Sequence, residues 1–91
     1  MQPHIQVSFP GGPRDLALEA AVHRWVARLE SAIEDALHVD VTIERVRRST
    51  SVGLTLSGGT SGSRKAATSH KDAYVAVSDA FRALRQQLLY R

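Results

Sequence analysis

Cysteine is absent from this 91-residue sequence, and its absence excludes several classes of protein. A chain without cysteine forms no disulfide framework, no thiolate zinc site and no cysteine nucleophile. Long apolar runs are missing as well. No window reaches the roughly 18–20 apolar residues of a membrane span, and the N-terminus has no signal-like segment. We therefore expect a soluble protein of the cytoplasm.

Residues that build catalytic or metal sites are also scarce. No two histidines stand three or four residues apart, as metal ligands on one helix face would; the four are His4, His23, His38 and His70. There is no nucleophile elbow and no paired histidine to activate a serine. We expect no catalytic residue, no metal and no cofactor, and therefore no enzyme.

Residues 58–65 (GGTSGSRK) invite comparison with a phosphate-binding loop. That loop needs G-x-x-x-x-G-K-[ST] between a strand and a helix. Here Ser63 and Arg64 stand five residues after Gly58 and Gly59, and the following residues have the pattern of a strand. A flexible turn between two strands, with basic residues at its base, fits the sequence better.

Acidic residues are unevenly distributed along the chain. Residues 1–44 contain three basic and seven acidic residues, a net charge of −4, whereas residues 45–91 contain nine basic and two acidic residues, a net charge of +7. Such asymmetry favours a polyanionic partner for the C-terminal half, most often nucleic acid. The alternative is a solvated basic face that only keeps the protein soluble.

Apolar spacing predicts the first two elements. Residues 4–9 alternate as a half-buried strand, residues 10–13 (PGGP) end it, and Asp15 suits a helix N-cap. Apolar residues then recur every three or four positions, which predicts a helix over residues 16–37. Its inward stripe is Leu18, Val22, Trp25, Leu29, Ile33 and Leu37.

A hairpin is predicted next. Residues 38–49 and 51–57 alternate as two strands, with the turn at residues 49–50. The alternation loses its phase at residues 45–46, where a bulge is a candidate.

A polar edge strand and a closing helix complete the pattern. The strand covers residues 63–69, where Arg64 and Lys65 discourage further pairing. The helix covers residues 71–89, with Ser69 or His70 near its cap. Its inward stripe is Tyr74, Val77, Phe81, Leu84 and Leu88.

The predicted order is β-α-β-β-β-α, an α+β fold. A right-handed crossover makes the first two strands parallel if they are neighbours, and hairpins connect the others. Two amphipathic helices then cover one face of a four-stranded mixed sheet. Residues 1–91 are expected to form a single domain.

Basic residues gather on one shoulder of the closing helix, away from Asp72 and Asp79. A sign-segregated helix suits a surface that follows RNA phosphates, because nearby carboxylates would cancel the attraction. Ion pairs such as Arg24 with Glu30 or Asp35 would instead indicate an ordinary solubilising flank. The candidate RNA-binding residues are Arg24, Arg28, Arg47, Arg48, Arg64, Lys65, Lys71, Arg82 and Arg85.

Two aromatic residues, Trp25 and Tyr74, fall on the inward stripes of the helices. Packing in the core is the first interpretation of both, and stacking on a nucleic-acid base is the second.

The closing segment DAYVAVSDAFRALRQQL resembles the last helix of ribosome hibernation-promoting factors, also called ribosome-associated inhibitors or sigma-54 modulation proteins. RDLALEAAVHRWVARLESAI is similar to the first helix of that family, and LTLSGG resembles its third strand and glycine turn. The resemblance covers nearly the whole chain, in the same order of elements, and corresponds to the short form of the family.

This resemblance implies a fold like a double-stranded-RNA-binding domain. It also implies that the protein binds ribosomal RNA phosphates of the small subunit through basic residues and silences idle ribosomes during stress, without a small-molecule substrate. Four positions depart from the family: Glu19, Trp25, Ala83 and Gln86 stand where members commonly carry basic residues, and Arg82 and Arg85 lie within a turn of the last two.

Two hypotheses of different classes therefore remain. The first is a ribosome-binding translation inhibitor or hibernation factor. The second, prompted by the missing lysines of the family pattern and by the acidic first helix, is a protein-interaction module that kept the fold without ribosome binding. General double-stranded RNA binding is a weaker third.

Overall fold

A computed structural model describes residues 3–29, 36, 38–59 and 62–89. The elements are β1 (His4–Ser8), α1 (Leu16–Arg28), β2 (His38–Val46), β3 (Ser49–Ser57), β4 (Arg64–His70) and α2 (Ala73–Leu89). The order β-α-β-β-β-α confirms the prediction from the sequence.

The strands form one mixed sheet in the order β1-β2-β3-β4. β1 runs parallel to β2, with Val7 beside Val41, as a crossover through α1 requires. β2 and β3 are antiparallel, and so are β3 and β4, which brings Leu54 between Val41 and Ala66. The predicted mixed sheet, with β4 at its edge, is confirmed.

A single hydrophobic cluster in the described residues joins this sheet to both helices. Side chains alternate along each strand, so every second residue faces the helices. On β2, for example, Val39, Val41 and Ile43 are buried, whereas the intervening Asp40, Thr42 and Glu44 are exposed. The largest fully buried side chains on the helices are Val22, Val77, Phe81 and Leu84. Both helices therefore cover one face of the sheet, as predicted.

The β2–β3 turn lies at Arg47 and Arg48, two residues before the predicted position. Val46 pairs with Ser49, and Arg45 pairs with Thr50, so the ladder continues to the turn without the suggested bulge. Thr50 is only 4% exposed on the helix-facing side. A buried β-branched residue is favoured in a strand, and the turn instead falls on two exposed arginines.

The N-cap of α1 is Asp15, as predicted, because its Oδ1 accepts a hydrogen bond from the Leu18 amide at 3.1 Å. α1 ends at Arg28 with Leu29 as its C-cap, so the predicted end at Leu37 is too late for this helix. Residues 30–35 and 37, which the prediction included, lie outside the described residues.

The cap of α2 is Asp72, not Ser69 or His70. The Asp72 Oδ1 accepts hydrogen bonds from the amides of Tyr74 and Val75 at 2.9 and 3.4 Å. His70 instead belongs to β4, and its Nδ1 accepts from the Asp72 amide at 2.9 Å. The strand extends one residue further than predicted, which moves the start of the helix to Ala73.

Across the part of the chain that the structure describes, no helix combines the length and apolarity needed to cross a membrane.

Candidate nucleic-acid interface

α1 and α2 lie side by side and enclose a groove between them. The groove has a volume of about 260 Å³, and we call it the helix groove. It is lined by Ala21, Arg24, Trp25, Arg28, Tyr74, Ser78 and Arg82. Three of the nine predicted RNA-binding residues, two from α1 and one from α2, thus meet in one place, and none of the described lining residues is a carboxylate.

Trp25 joins this groove to the core. Its indole is only partly buried and stacks on the ring of Phe81, with centroids 5.9 Å apart and planes 7° apart. The guanidinium carbons of Arg28 and Arg82 lie over the indole, 5.2 and 5.9 Å from its centroid. Those distances are within the range of cation–π attraction. Trp25 therefore packs against the core, as predicted, while its contacts also reach the basic residues.

Tyr74 is not a core residue, and that prediction is wrong. Its side chain is 48% exposed and lines the helix groove, whereas Ala76 and Ala80 are 0% exposed. The helical spacing of about 100° per residue places Ala76 and Ala80 on the side of α2 away from Tyr74. The buried face of the helix is therefore centred away from Tyr74. The prediction was based on the large apolar residues, and alanines contribute little to such a stripe. It therefore placed the buried face too close to Tyr74.

The other predicted residues lie apart from the helix groove. Arg85 is exposed on α2, three residues beyond Arg82, and Lys71 is exposed just before the helix. Arg47 and Arg48 are exposed in the β2–β3 turn, which we call the hairpin tip. The nine residues therefore do not form one compact patch.

Arg64 and Lys65 occupy opposite faces of β4. Arg64 pairs with Leu56 and so faces the helices, and its Nε is the single buried side-chain nitrogen or oxygen atom without a hydrogen-bond partner in the described chain. Lys65 lies on the other face, and its backbone carbonyl accepts a hydrogen bond from Gln87 at 2.7 Å. These two residues sit near the C-terminal end of α2, away from the hairpin tip.

Ion pairs do not interrupt the helix groove in the described part of the chain. Among the described residues, Arg14 and Glu19 form an ion pair, and both lie outside the groove. The Arg14 guanidinium donates hydrogen bonds to the Glu19 carboxylate, which raises the pKa of Arg14. The charge of Glu19 is thus compensated locally. Glu30 and Asp35, the suggested partners of Arg24, lie outside the described residues.

The glycine-rich turn leads into a strand, as the sequence predicted. Gly58, Gly59 and Gly62 have positive φ angles of 89°, 74° and 76°, and β4 begins at Arg64. Thr60 and Ser61 lie outside the described residues. Backbone amides at the start of a helix, on which a phosphate-binding loop depends, are therefore not available after this turn. Nor do His, Asp or Glu residues cluster in threes within the described ranges, as a metal site would need.

The fold has counterparts among solved structures. A ribosomal subunit interface protein from Coxiella burnetii aligns with a TM-score of 0.85 and 18% identity, over 93% of this chain and 92% of that chain. The N-terminal domain of Protein Y from Thermus thermophilus aligns with a TM-score of 0.79 and 17% identity, over 97% and 96% of the two chains. At such identities the likeness shows the fold alone.

Sequence comparison extends this result. Curated protein sequences give no significant match to the chain. Residues 5–90 do match a protein family described as sigma 54 modulation protein / S30EA ribosomal protein. Since the match covers nearly every residue, this protein belongs to that family of ribosome hibernation factors, as the resemblance in its helices predicted.

Proposed function

We propose that this protein is a ribosome-binding translation inhibitor that docks on ribosomal RNA of the small subunit through a basic surface. Family membership supports a ribosomal partner, and the structural relatives include a ribosomal subunit interface protein. The protein acts by occupying its site in the cytoplasm, without catalysis. Residues 1–91 act as one domain around the cluster that joins sheet and helices.

The helix groove is the observation that carries this proposal. Guanidinium groups from two helices meet there, and the described residues of the lining include no carboxylate. Arginine presents a planar fork of donors that matches phosphate oxygens, and RNA helices are recognised mainly through their shape, phosphates and 2′-hydroxyls. Arg24, Arg28 and Arg82 are therefore the proposed primary contacts, and Arg85 extends them along α2.

The remaining candidates are proposed as secondary contacts. Arg47, Arg48 and Lys71 lie at the end of the molecule where α2 begins, and Arg64 and Lys65 lie near the end where α2 finishes. Each group adds long-range attraction to a polyanion. Neither has the aromatic support that Trp25 gives the groove, and we expect smaller contributions from both.

The protein-interaction alternative has less support. A basic surface broken by ion pairs would have favoured it, but the ion pair in the described part of the chain, between Arg14 and Glu19, lies outside the groove. The four departures from the family are also partly offset, since Glu19 is paired and Trp25 contacts two arginines.

Co-sedimentation with purified small ribosomal subunits tests the proposal. We expect the protein to pellet with the subunits at low salt and to dissociate as salt rises, because phosphate contacts release counterions. Absence from the pellet at low and at moderate salt would contradict the proposed function. Equal affinity for a plain RNA duplex would instead indicate general RNA binding.

A further inference from the structure

We propose that Trp25 is a positioning residue. Its indole holds Arg28 of α1 and Arg82 of α2 at the helix groove, so that two helices together present one pair of phosphate-binding guanidiniums. The inference rests on the proposed function and deepens it.

The indole has a rigid base. Phe81, on which it stacks at a centroid distance of 5.9 Å, is 0% exposed and belongs to the core cluster. Aromatic rings in such contact attract each other beyond the effect of area burial alone. The orientation of Trp25 is therefore set by the core of the protein.

Both guanidiniums are within reach of this ring. The Arg28 and Arg82 Cζ atoms lie 5.2 and 5.9 Å from the indole centroid. Unsupported arginine side chains sample many rotamers and lose that freedom when they bind a partner. A ring that restricts them beforehand lowers the entropic cost of binding a phosphate.

Base stacking is the competing role for Trp25. A base needs an open ring face, as on the aromatic platforms of single-strand binding proteins. Phe81 is stacked on this indole, and two guanidiniums lie over it, so a base would have to displace one of these groups. The contacts favour positioning of arginines over stacking.

Two variants separate positioning from simple electrostatics. Trp25→Lys adds a positive charge at the groove, so charge alone predicts tighter binding to small ribosomal subunits. Positioning predicts binding weaker by about 5- to 20-fold at constant salt. Trp25→Phe keeps an aromatic face and should stay within about threefold of the original protein. Binding by Trp25→Lys as tight as that of the original protein would overturn the inference.

A measurement on the free protein makes the test independent of ribosomes. The Nε–Hε resonances of Arg28 and Arg82 should show ring-current shifts in nuclear magnetic resonance spectra, and Trp25→Lys should abolish them. The variants are compared well below their unfolding midpoints, so that lost folding is not mistaken for lost positioning.

The two proposals fail in different ways. Co-sedimentation of the original protein with unshifted arginine resonances would overturn the role of Trp25 alone. Shifted resonances without co-sedimentation would overturn the proposed function, and with it the phosphate-binding role of the arginine pair.

Discussion

Two regions of this molecule carry paired arginines, and they differ in how those arginines are held. In the helix groove, Arg28 and Arg82 lie over an indole that stacks on the core. At the hairpin tip, Arg47 and Arg48 are exposed in a two-residue turn. Each pair carries the same charge, but the pair in the groove lies against an aromatic ring that restricts its side chains before binding. Charge alone gives long-range attraction, whereas affinity also depends on preorganisation.

The largest expected effect is on the stability of the fold, when the Phe81 ring that stacks on Trp25 is removed. Phe81→Ala removes a fully buried ring, and such a substitution costs about 3–5 kcal/mol of unfolding free energy. Denaturant unfolding followed by circular dichroism measures this loss. The matched control is Tyr74→Ala on the same helix, where the ring is 48% exposed and the cost should be below about 1 kcal/mol. A larger cost for Tyr74→Ala than for Phe81→Ala would refute the assignment of the core face.

The next prediction compares the two regions directly. Arg28→Gln with Arg82→Gln, and Arg47→Gln with Arg48→Gln, each remove two charges of the same residue type. We expect the groove variant to bind small ribosomal subunits at least about 100-fold more weakly, since it loses two charge-assisted hydrogen bonds of about 1.5–3 kcal/mol each. The hairpin-tip variant should weaken binding by only about 2- to 3-fold, as screened surface charges do.

Co-sedimentation titrations at one fixed salt concentration provide the measurement. Equal losses in the two variants would mean that net charge, and not geometry, governs binding. A greater loss in the hairpin-tip variant would move the proposed site to the other region.

Salt dependence sharpens the same comparison with the unmodified protein. Each phosphate contact contributes about 0.7–0.9 to the slope of log affinity against log salt. Three contacts, at Arg24, Arg28 and Arg82, would therefore weaken binding about 20- to 40-fold between roughly 50 and roughly 200 mM salt. Arg82→Gln should lower the slope by about one contact, whereas Arg48→Gln should leave it nearly unchanged. A flat salt profile would argue against phosphate contacts altogether.

Much of the fold was predictable because its signals are local. Alternation along β2 and β3 and the carboxylate of Asp15 each act within a few residues, and the structure agrees with them. The cap at Asp72 was missed because Ser69 and His70, the two candidates, are drawn into β4 by pairing with β3. That pairing is a tertiary contact, which a local pattern does not contain.

The candidate site was predictable in composition but not in arrangement. The sequence pointed to Arg24, Arg28 and Arg82 as basic residues on helices, and the structure brings them into one groove. The contacts of Trp25 depend on how α1 packs against α2, and helical periodicity within one helix gives no information on that packing. Periodicity predicted correctly that Trp25 packs against the core, but it did not predict that the same indole contacts two arginines.

The smallest expected effect concerns the backbone of the hairpin tip. Arg47 has a φ angle of 60°, in the left-handed region that costs most residues about 1–2 kcal/mol and glycine nothing. Glycine removes this cost, but it also raises the chain entropy of the unfolded state, which offsets part of the gain. Arg47→Gly should therefore stabilise the fold by about 0.5–1 kcal/mol. Thermal unfolding measures the gain in stability. Arg48→Gly is the control: Arg48 has no positive φ, so glycine at this position should destabilise the fold.

If the helix groove dominates binding, Arg47→Gly raises stability while ribosome affinity falls by less than about threefold, because only a screened surface charge is lost. A large loss of affinity in this more stable variant would make the hairpin tip an equal partner in binding.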